Sequence, residues 1–258
     1  MNALILAAGF GSRLMPLTQK QPKCMVEYKG KKIIDYEINA LQVSGIKKIG
    51  VVGGYLFDVL FSYLSTTYKI KDIFCNDDFA NTNMVETFFS AKKFLQQCIE
   101  DRQDLIVSYA DIIYHPRVVQ KLMQTQGDFC IVVDLEWRKL WEKRFDNPLS
   151  DVETLKIAQG KIIELGKKPK GYDDIEGQYI GLFKFSYTFL KRVIQEYEEM
   201  DREALYDGCT FKKMYMTSFL QHLIDYCGNA TPVFICGEWG EIDSKKDLEI
   251  MQNAEIAF

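Results

Sequence analysis

The residues with the clearest chemical potential lie near the start of the chain, in Leu6-Ala7-Ala8-Gly9-Phe10-Gly11-Ser12-Arg13-Leu14. Glycines directly after a short apolar run let backbone N–H groups come close to phosphate oxygens. Arg13 follows Gly11 closely, Pro16 breaks the chain, and Pro22-Lys23 comes next. A glycine turn, a guanidinium fork and an ammonium this near one another can enclose a triphosphate with donors and two charges. The competing reading is a tight turn with two exposed cations. Two familiar phosphate loops are absent. Leu14 stands where G-x-G-x-x-G needs its third glycine, and Gly53-Gly54 close the second apolar run where an Asp or Glu would hold a ribose. No G-x-x-x-x-G-K-[ST] run occurs. A nicotinamide-dependent oxidoreductase is thereby disfavoured.

The elements that must hold these residues can be read around them. Ala3 to Ala7 is a continuous apolar run ending in the glycine turn, the pattern of a buried strand in a parallel sheet. Lys48 to Val52, Ile70 to Phe74, Asp104 to Tyr109 and Phe129 to Val133 repeat it. Helical patterns fill the intervals at Lys32 to Val43, Phe57 to Leu64, Met84 to Ile99 and Val118 to Gln124. The alternation predicts an α/β fold, a Rossmann-like, mostly parallel sheet flanked by helices. Ligands of such sheets bind beyond the carboxyl ends of the strands. Chemistry should therefore sit in the loops after the first, second and fourth strands, which adds Gly53, Tyr55 and Ala110 to the candidates. The second half is less regular. It reads as a hairpin over Leu155 to Leu165, a strand over Tyr179 to Phe185, and helices over Phe189 to Met200 and Thr217 to Cys227. A strand over Thr231 to Cys236 and a helix over Lys245 to Ala254 close the chain. No linker rich in Pro, Gly or Ser and no internal repeat divides the 258 residues, so a single domain is expected.

With 47% hydrophobic and 26% charged residues and a net charge of -4, the chain has no global basic field for nucleic acid or an anionic membrane. Phosphate must be met by a few local cations, which points to a small ligand. The 7 cysteines are scattered without a C-x-x-C pair, so neither a disulfide framework nor a zinc site is suggested. Reduced thiols and a cytoplasmic location are expected. Met1 to Phe10 lacks the basic flank and length of a signal peptide, and no run approaches the roughly 20 apolar residues of a membrane span. His115 and His222 have no nucleophile paired with them and read as structural.

The wider pattern decides how the glycine loop is read. Leu6-Ala7-Ala8-Gly9-Phe10-Gly11-Ser12-Arg13-Leu14-Met15-Pro16-Leu17-Thr18, then Gln21-Pro22-Lys23-Cys24-Met25-Val26, closely resembles the opening motif of the sugar-nucleotidyltransferase superfamily. That motif is L-A-A-G-x-G-[ST]-R-L, then P-L-T, then P-K-x-[ML]. The resemblance implies that Leu6, Ala7, Ala8, Gly9, Gly11 and Ser12 wrap a nucleotide, that Arg13 contacts its phosphates, and that Lys23 contacts phosphate on the reacting side. It also implies Mg2+, held by Asp111 after the fourth strand and by Asp243 in Trp239-Gly240-Glu241-Ile242-Asp243-Ser244. Two carboxylates at strand ends suit a hard cation that keeps its waters and bridges phosphates. Taken by themselves, Asp111 is equally a turn residue and Asp243 equally a helix N-cap. The implied reaction is in-line displacement, with an acceptor phosphate oxygen attacking the α-phosphorus and pyrophosphate leaving. An anionic nucleophile needs no general base, so catalysis would rest on positioning and charge neutralisation by Lys23, Arg13 and the metal at Asp111.

Asn81-Thr82-Asn83-Met84 resembles the T-N segment of the compact cytidylyltransferase branch that handles phosphocholine and related acceptors. This implies CTP as the donor, with Thr82 and Asn83 beside it; the local alternative is a helix start with either residue as N-cap. On the acceptor side, a helix over Asp134 to Asn147 would place Asp134, Trp137, Trp141 and Arg144 roughly on one face. Aromatic rings suit a substituted ammonium, and Arg144 suits a phosphate or carboxylate. Packing of both Trp rings onto the sheet is the alternative. Glu153, Lys156 and Glu176 stand where the family places charged residues near the acceptor. Residues 1–133 would then form the nucleotide-binding half, and 134–258 the acceptor-binding half with the second metal ligand. The implied function is transfer of CMP from CTP to a small phosphorylated amine or amino acid, phosphoglutamine foremost, for capsule or surface polysaccharide modification. Phosphocholine, 2-aminoethylphosphonate, or a hexose-1-phosphate with UTP or dTTP are the alternatives. A non-catalytic nucleotide-binding homologue would be expected to lose Lys23 or a metal aspartate, and this chain keeps them. An oligomer is compatible with the sequence.

Overall fold

The apolar runs of the sequence become strands covered on both faces. The computed structural model describes residues 1–253. Its first half runs β1 (Asn2–Ala7), α1 (Ile33–Val43), β2 (Lys48–Gly53), α2 (Phe57–Tyr63), β3 (Asp72–Cys75), α3 (Met84–Ser90), α4 (Lys92–Glu100), β4 (Leu105–Tyr109), β5 (Ile112–Tyr114), α5 (Pro116–Gln124) and β6 (Phe129–Asp134). The second runs α6 (Trp137–Arg144), β7 (Leu155–Ala158), β8 (Lys161–Leu165), β9 (Gln178–Phe185), α7 (Tyr187–Glu199), α8 (Met216–Cys227), β10 (Ala230–Ile235), β11 (Trp239–Glu241) and α9 (Lys245–Asn253). Ala254, the predicted end of the last helix, lies outside the described residues.

A central sheet of 7 strands has the order β10-β6-β9-β4-β1-β2-β3. β1 pairs in parallel with β2 and β4, β2 with β3, and β10 with β6. β9 alone of these strands is antiparallel to its neighbours β4 and β6. Between β6 and β9 the chain makes α6 and the β7–β8 hairpin, and it re-enters the sheet where it left, with Gln178 opposite Asp134. Such a return needs none of the crossover that a parallel strand requires.

The pleat sorts each strand between two cores. Ala3, Ile5 and Ala7 face Ile34 and Ile38 of α1 and Val118 and Leu122 of α5. Leu4 and Leu6 face the opposite layer, with Phe88 and Phe94 from α3 and α4 and Val193 and Phe219 from α7 and α8. Burial of each large apolar side chain stabilises by about 1.5–3 kcal/mol, enough to bind the layers around the sheet. The predicted single helix from Met84 to Ile99 is broken at Ala91. Ser90 Oγ donates to the Glu86 carbonyl at 2.8 Å, and this back-bonding competes with the helical ladder where the break occurs. No helix among the described residues is long and apolar enough to cross a membrane.

Candidate active site

β1 ends at Ala7, and the chain turns across the carboxyl ends of the parallel strands. Gly11 adopts φ 61° and ψ 39°. A Cβ there would lie 2.7 Å from the Lys23 Cβ, so the left-handed backbone and the close approach both call for glycine. Thr18 Oγ1 donates to the Gly11 carbonyl at 2.9 Å and ties the loop back. The loop borders a cavity of about 350 Å³. Leu6, Ala7, Ala8, Gly9, Gly11, Ser12, Arg13, Thr82, Asn83 and Ala110 all line it, together with Lys23, Asp111 and Asp243. Gly53 and Tyr55 do not. The Tyr55 N–H donates to the Ala8 carbonyl at 3.1 Å and so ties to the loop, whereas a Cβ on Gly53 would meet the Phe57 ring of α2 at 2.9 Å.

Phe10, Phe79 and Tyr109 also line the cavity and were not singled out in the sequence. The Phe10 ring lies 5.2 Å from Tyr55 and 5.0 Å from Phe79, an aromatic group that no linear motif announces. Buried Asn76 donates to Thr82 Oγ1 at 2.9 Å and to Thr87 Oγ1 at 3.0 Å, which sets the turn before α3. Asn83 is the N-cap of α3, accepting from the Met84 N–H at 2.8 Å, and borders the cavity as well.

Lys23 Nζ donates to Asp111 Oδ2 at 2.7 Å and to Asp243 Oδ1, while Arg13 pairs with Asp243 Oδ2. Asp111 follows β4, and Asp243 follows β11. β5 and β11 form an antiparallel ladder with Ile112 opposite Glu241, and the Ile242 N–H donates to the Asp111 carbonyl at 2.9 Å. The two carboxylates are thus juxtaposed by one ladder. Leu14 beside Arg13, Ile242 beside Asp243, and Val26 and Ile113 share a small apolar cluster that fixes the charged side chains relative to one another. Oδ1 of Asp111 is buried with no hydrogen-bond partner.

Tyr109 and Asp111 also border a second cavity, of about 180 Å³. Its wall carries Asp111, Asp151, Glu153 and Glu241 against Trp141, Tyr179, Tyr215 and Trp239, with no lysine or arginine among the described residues. Trp141 Nε1 donates to Asp151 Oδ2 at 3.1 Å. Burial pushes the Glu153 carboxyl up to about 7; the Thr217 hydroxyl, donating at 3.4 Å, opposes this, while Asp151, Glu241 and Asp207 add to it. The buried Tyr179 hydroxyl faces that of Tyr109, and the two rings meet edge to face with centroids 5.7 Å apart.

Of the predicted acceptor residues, Trp141 and Glu153 line this cavity, and Trp137, Arg144, Lys156 and Glu176 do not. The Trp137 ring is buried beside those of Trp141 and Tyr172. The Arg144 guanidinium is taken up by Glu241 and Asp247. Lys156 pairs with Asp174 at 3.0 Å and Glu164 at 3.4 Å, and Glu176 Oε1 accepts the Ile157 N–H at 2.9 Å. Asp151, Tyr179 and Glu241 were missed, although Glu241 stands two places before Asp243 within the quoted segment.

Known proteins resemble this chain in sequence and in fold. The 2-aminoethylphosphonate cytidylyltransferase of Lancefieldella rimae is 30% identical over 217 residues, covering 80% of this chain and 76% of that one. The CTP:phosphoglutamine cytidylyltransferase of Campylobacter jejuni subsp. jejuni serotype O:2 is 62% identical over 250 residues, covering 97% of this chain and 98% of that one. In fold, the inositol-1-phosphate CTP transferase from T. maritima matches 100% of this chain and 98% of its own with a TM-score of 0.76 at 18% identity. The sequence profile of the nucleotidyl transferases matches residues 2–221, and with the glycine loop, Lys23 and the paired aspartates gathered at one cavity, the chain belongs to the nucleotidyl transferase family.

Proposed function

We propose that this nucleotidyltransferase moves CMP from CTP to the phosphate of a small acceptor bearing an ammonium group, phosphoglutamine foremost, and releases pyrophosphate. The observation that carries this reading is the second cavity. It opens beside Asp111, holds four carboxylates and several aromatic rings, and presents no described cation. A substituted ammonium is attracted both by carboxylates and by aromatic faces. The Tyr179 hydroxyl, buried beside that of Tyr109, stands in the same wall, where a carboxylate on the acceptor would meet it. The relative that matches nearly the whole chain is named for phosphoglutamine, which carries both groups.

The larger cavity would take the nucleotide, with the glycine loop against its phosphates and Thr82 and Asn83 also in its lining. Lys23 stands between the two carboxylates in the wall of the larger cavity and would meet the charge that gathers when an acceptor oxygen approaches the α-phosphorus. Asp111 and Asp243 would hold a magnesium ion. The buried, unpartnered Oδ1 of Asp111 fits such a cation, and no cluster of three or more His, Cys, Asp or Glu suited to a metal occurs among the described residues. A pair of carboxylates suits an ion that completes its shell with water and phosphate oxygens. When bound, it would neutralise negative charge around the reacting phosphates.

The test is pyrophosphate release in a grid of CTP, UTP, dTTP, GTP and ATP against phosphoglutamine, phosphocholine, 2-aminoethylphosphonate and glucose-1-phosphate. Release with CTP and an ammonium-bearing acceptor is expected. Release with glucose-1-phosphate alone would overturn the acceptor reading, and silence throughout would overturn the catalytic one.

A further inference from the structure

Arg144 ends α6 and is buried, yet it lines neither cavity. Its Nε donates to Asp247 Oδ1 at 2.8 Å, its Nη2 to Asp247 Oδ2 at 3.4 Å, and its Nη1 to Glu241 Oε2. Asp247 is buried too and passes the tie onward. Its Oδ2 accepts the backbone N–H of Asp243 at 3.1 Å, that of Ser244 at 2.8 Å, and the Ser244 hydroxyl at 2.9 Å. The Asp247 N–H returns to Ser244 Oγ at 3.1 Å. This is a capping box at the start of α9 with Asp as the reciprocal acid. Ser244 is therefore the N-cap, and the Asp243 side chain is left to face Arg13 and Lys23. The helix that supplies Arg144 also brings Trp141 to the acceptor wall, one turn earlier.

We propose that Arg144 and Asp247 are positioning residues that aim the Asp243 carboxylate for a divalent cation and join that aim, through α6, to the acceptor wall. The inference rests on reading Asp243 as a cation ligand. The direction of a carboxylate follows the backbone that carries it. Here the backbone N–H of Asp243 is fixed by a buried acid, which is itself fixed by a charge-assisted fork. Partners of this kind typically change metal affinity by about 10–100-fold when removed.

The experiment is Mn2+ binding to the full chain with CTP and without acceptor, followed by electron paramagnetic resonance, with melting temperatures measured in parallel. Asp243→Asn should weaken Mn2+ binding most. Asp247→Asn should weaken it by about tenfold or more, and Arg144→Lys, which keeps the charge and loses the fork, by an intermediate factor. Ser244→Ala removes the cap hydroxyl but leaves the Asp247–Asp243 contact. It should lower the melting temperature while holding Mn2+ affinity within about twofold of the unaltered chain, far inside the range expected for a partner that aims a ligand. Wild-type affinity in Asp247→Asn, beside a weak Asp243→Asn, would overturn the positioning role. Wild-type affinity in Asp243→Asn would instead overturn the cation reading on which it stands. Should Asp247→Asn fail to fold, Arg144→Lys decides by the same comparison.

Discussion

Lys23 and Asp111 stand 88 positions apart in the chain, and their charged atoms lie 2.7 Å apart. The same ammonium reaches Asp243, 220 positions from Lys23. Arg13 and Lys23 balance Asp111 and Asp243, so the cluster is neutral in formal charge. A polyanion entering the cavity would compete for both cations, leaving the carboxylates to a metal.

Lys23→Ala and Asp111→Asn are each expected to lower kcat by about 10²–10³-fold, the scale of losing one preorganised charge from a transition state. Both side chains line a cavity rather than the core, so the melting temperature should stay near that of the unaltered protein. Pyrophosphate release and thermal melts check the two halves separately. Near-normal turnover in either variant would sink the proposed mechanism.

Gly11→Ala tests the loop. At φ 61° an alanine costs about 1–2 kcal/mol, and its Cβ would press on the Lys23 side chain at 2.7 Å. Roughly tenfold or more should be lost from kcat/KM for CTP. An unchanged value would mean that neither the turn nor its contact with Lys23 sets the nucleotide geometry.

How far the site could be read in advance follows from where its contacts lie along the chain. The glycine loop and Asp111 follow strands announced by local apolar runs, and Lys23 belongs to the linear motif. Arg144 is the opposite case. Helical spacing correctly groups it with Trp141, but what that face meets depends on Asp247, 103 positions later. No local pattern carries that pairing. Lys156 and Glu176 were placed by family position, whereas the side chains turn to partners in and around the β7–β8 hairpin. The direction of β9 also lay beyond reach, because an apolar run reads alike in both senses. Tyr179 lies in that strand and was missed with it as a cavity residue.

Acceptor binding should depend on pH through Glu153. Its carboxyl is pushed up to about 7 by burial, with Asp151, Glu241 and Asp207 adding to the effect. A folded value above the ordinary one means that the carboxylate form is lost as pH falls through about 7. An ammonium needs that carboxylate, so KM for the acceptor should rise as pH is lowered from 8 to 6, while KM for CTP stays nearly level. Glu153→Gln should raise the acceptor KM and flatten the profile. A Glu153→Gln variant that retains the wild-type slope would assign the titration elsewhere.

Stability should carry a second, separate pH signature, from Glu37 in α1. Its Oε1 accepts from Ser108 Oγ at 2.8 Å, Tyr114 donates to that same hydroxyl at 3.2 Å, and Oε2 is buried without a partner. Burial holds the Glu37 carboxyl well above the ordinary carboxylate range, against the Ser108 hydrogen bond and with a smaller push from Asp111. The folded protein then keeps a proton that the unfolded chain releases. Stability contributed by the protonated form is complete below the ordinary glutamate value and is lost as pH rises towards the raised one. Glutamine cannot ionise, so Glu37→Gln should escape the loss. The variant is expected to melt near the parent temperature at about pH 4.5, close to the ordinary glutamate value, and above it by a margin that widens towards pH 8. In a chain of this size, each kcal/mol corresponds to about 2–4 °C. Melting curves of both proteins across that range make the comparison. A parent protein more stable than Glu37→Gln at pH 8 would show that the folded state uses the carboxylate, and would refute the assignment of a neutral Glu37.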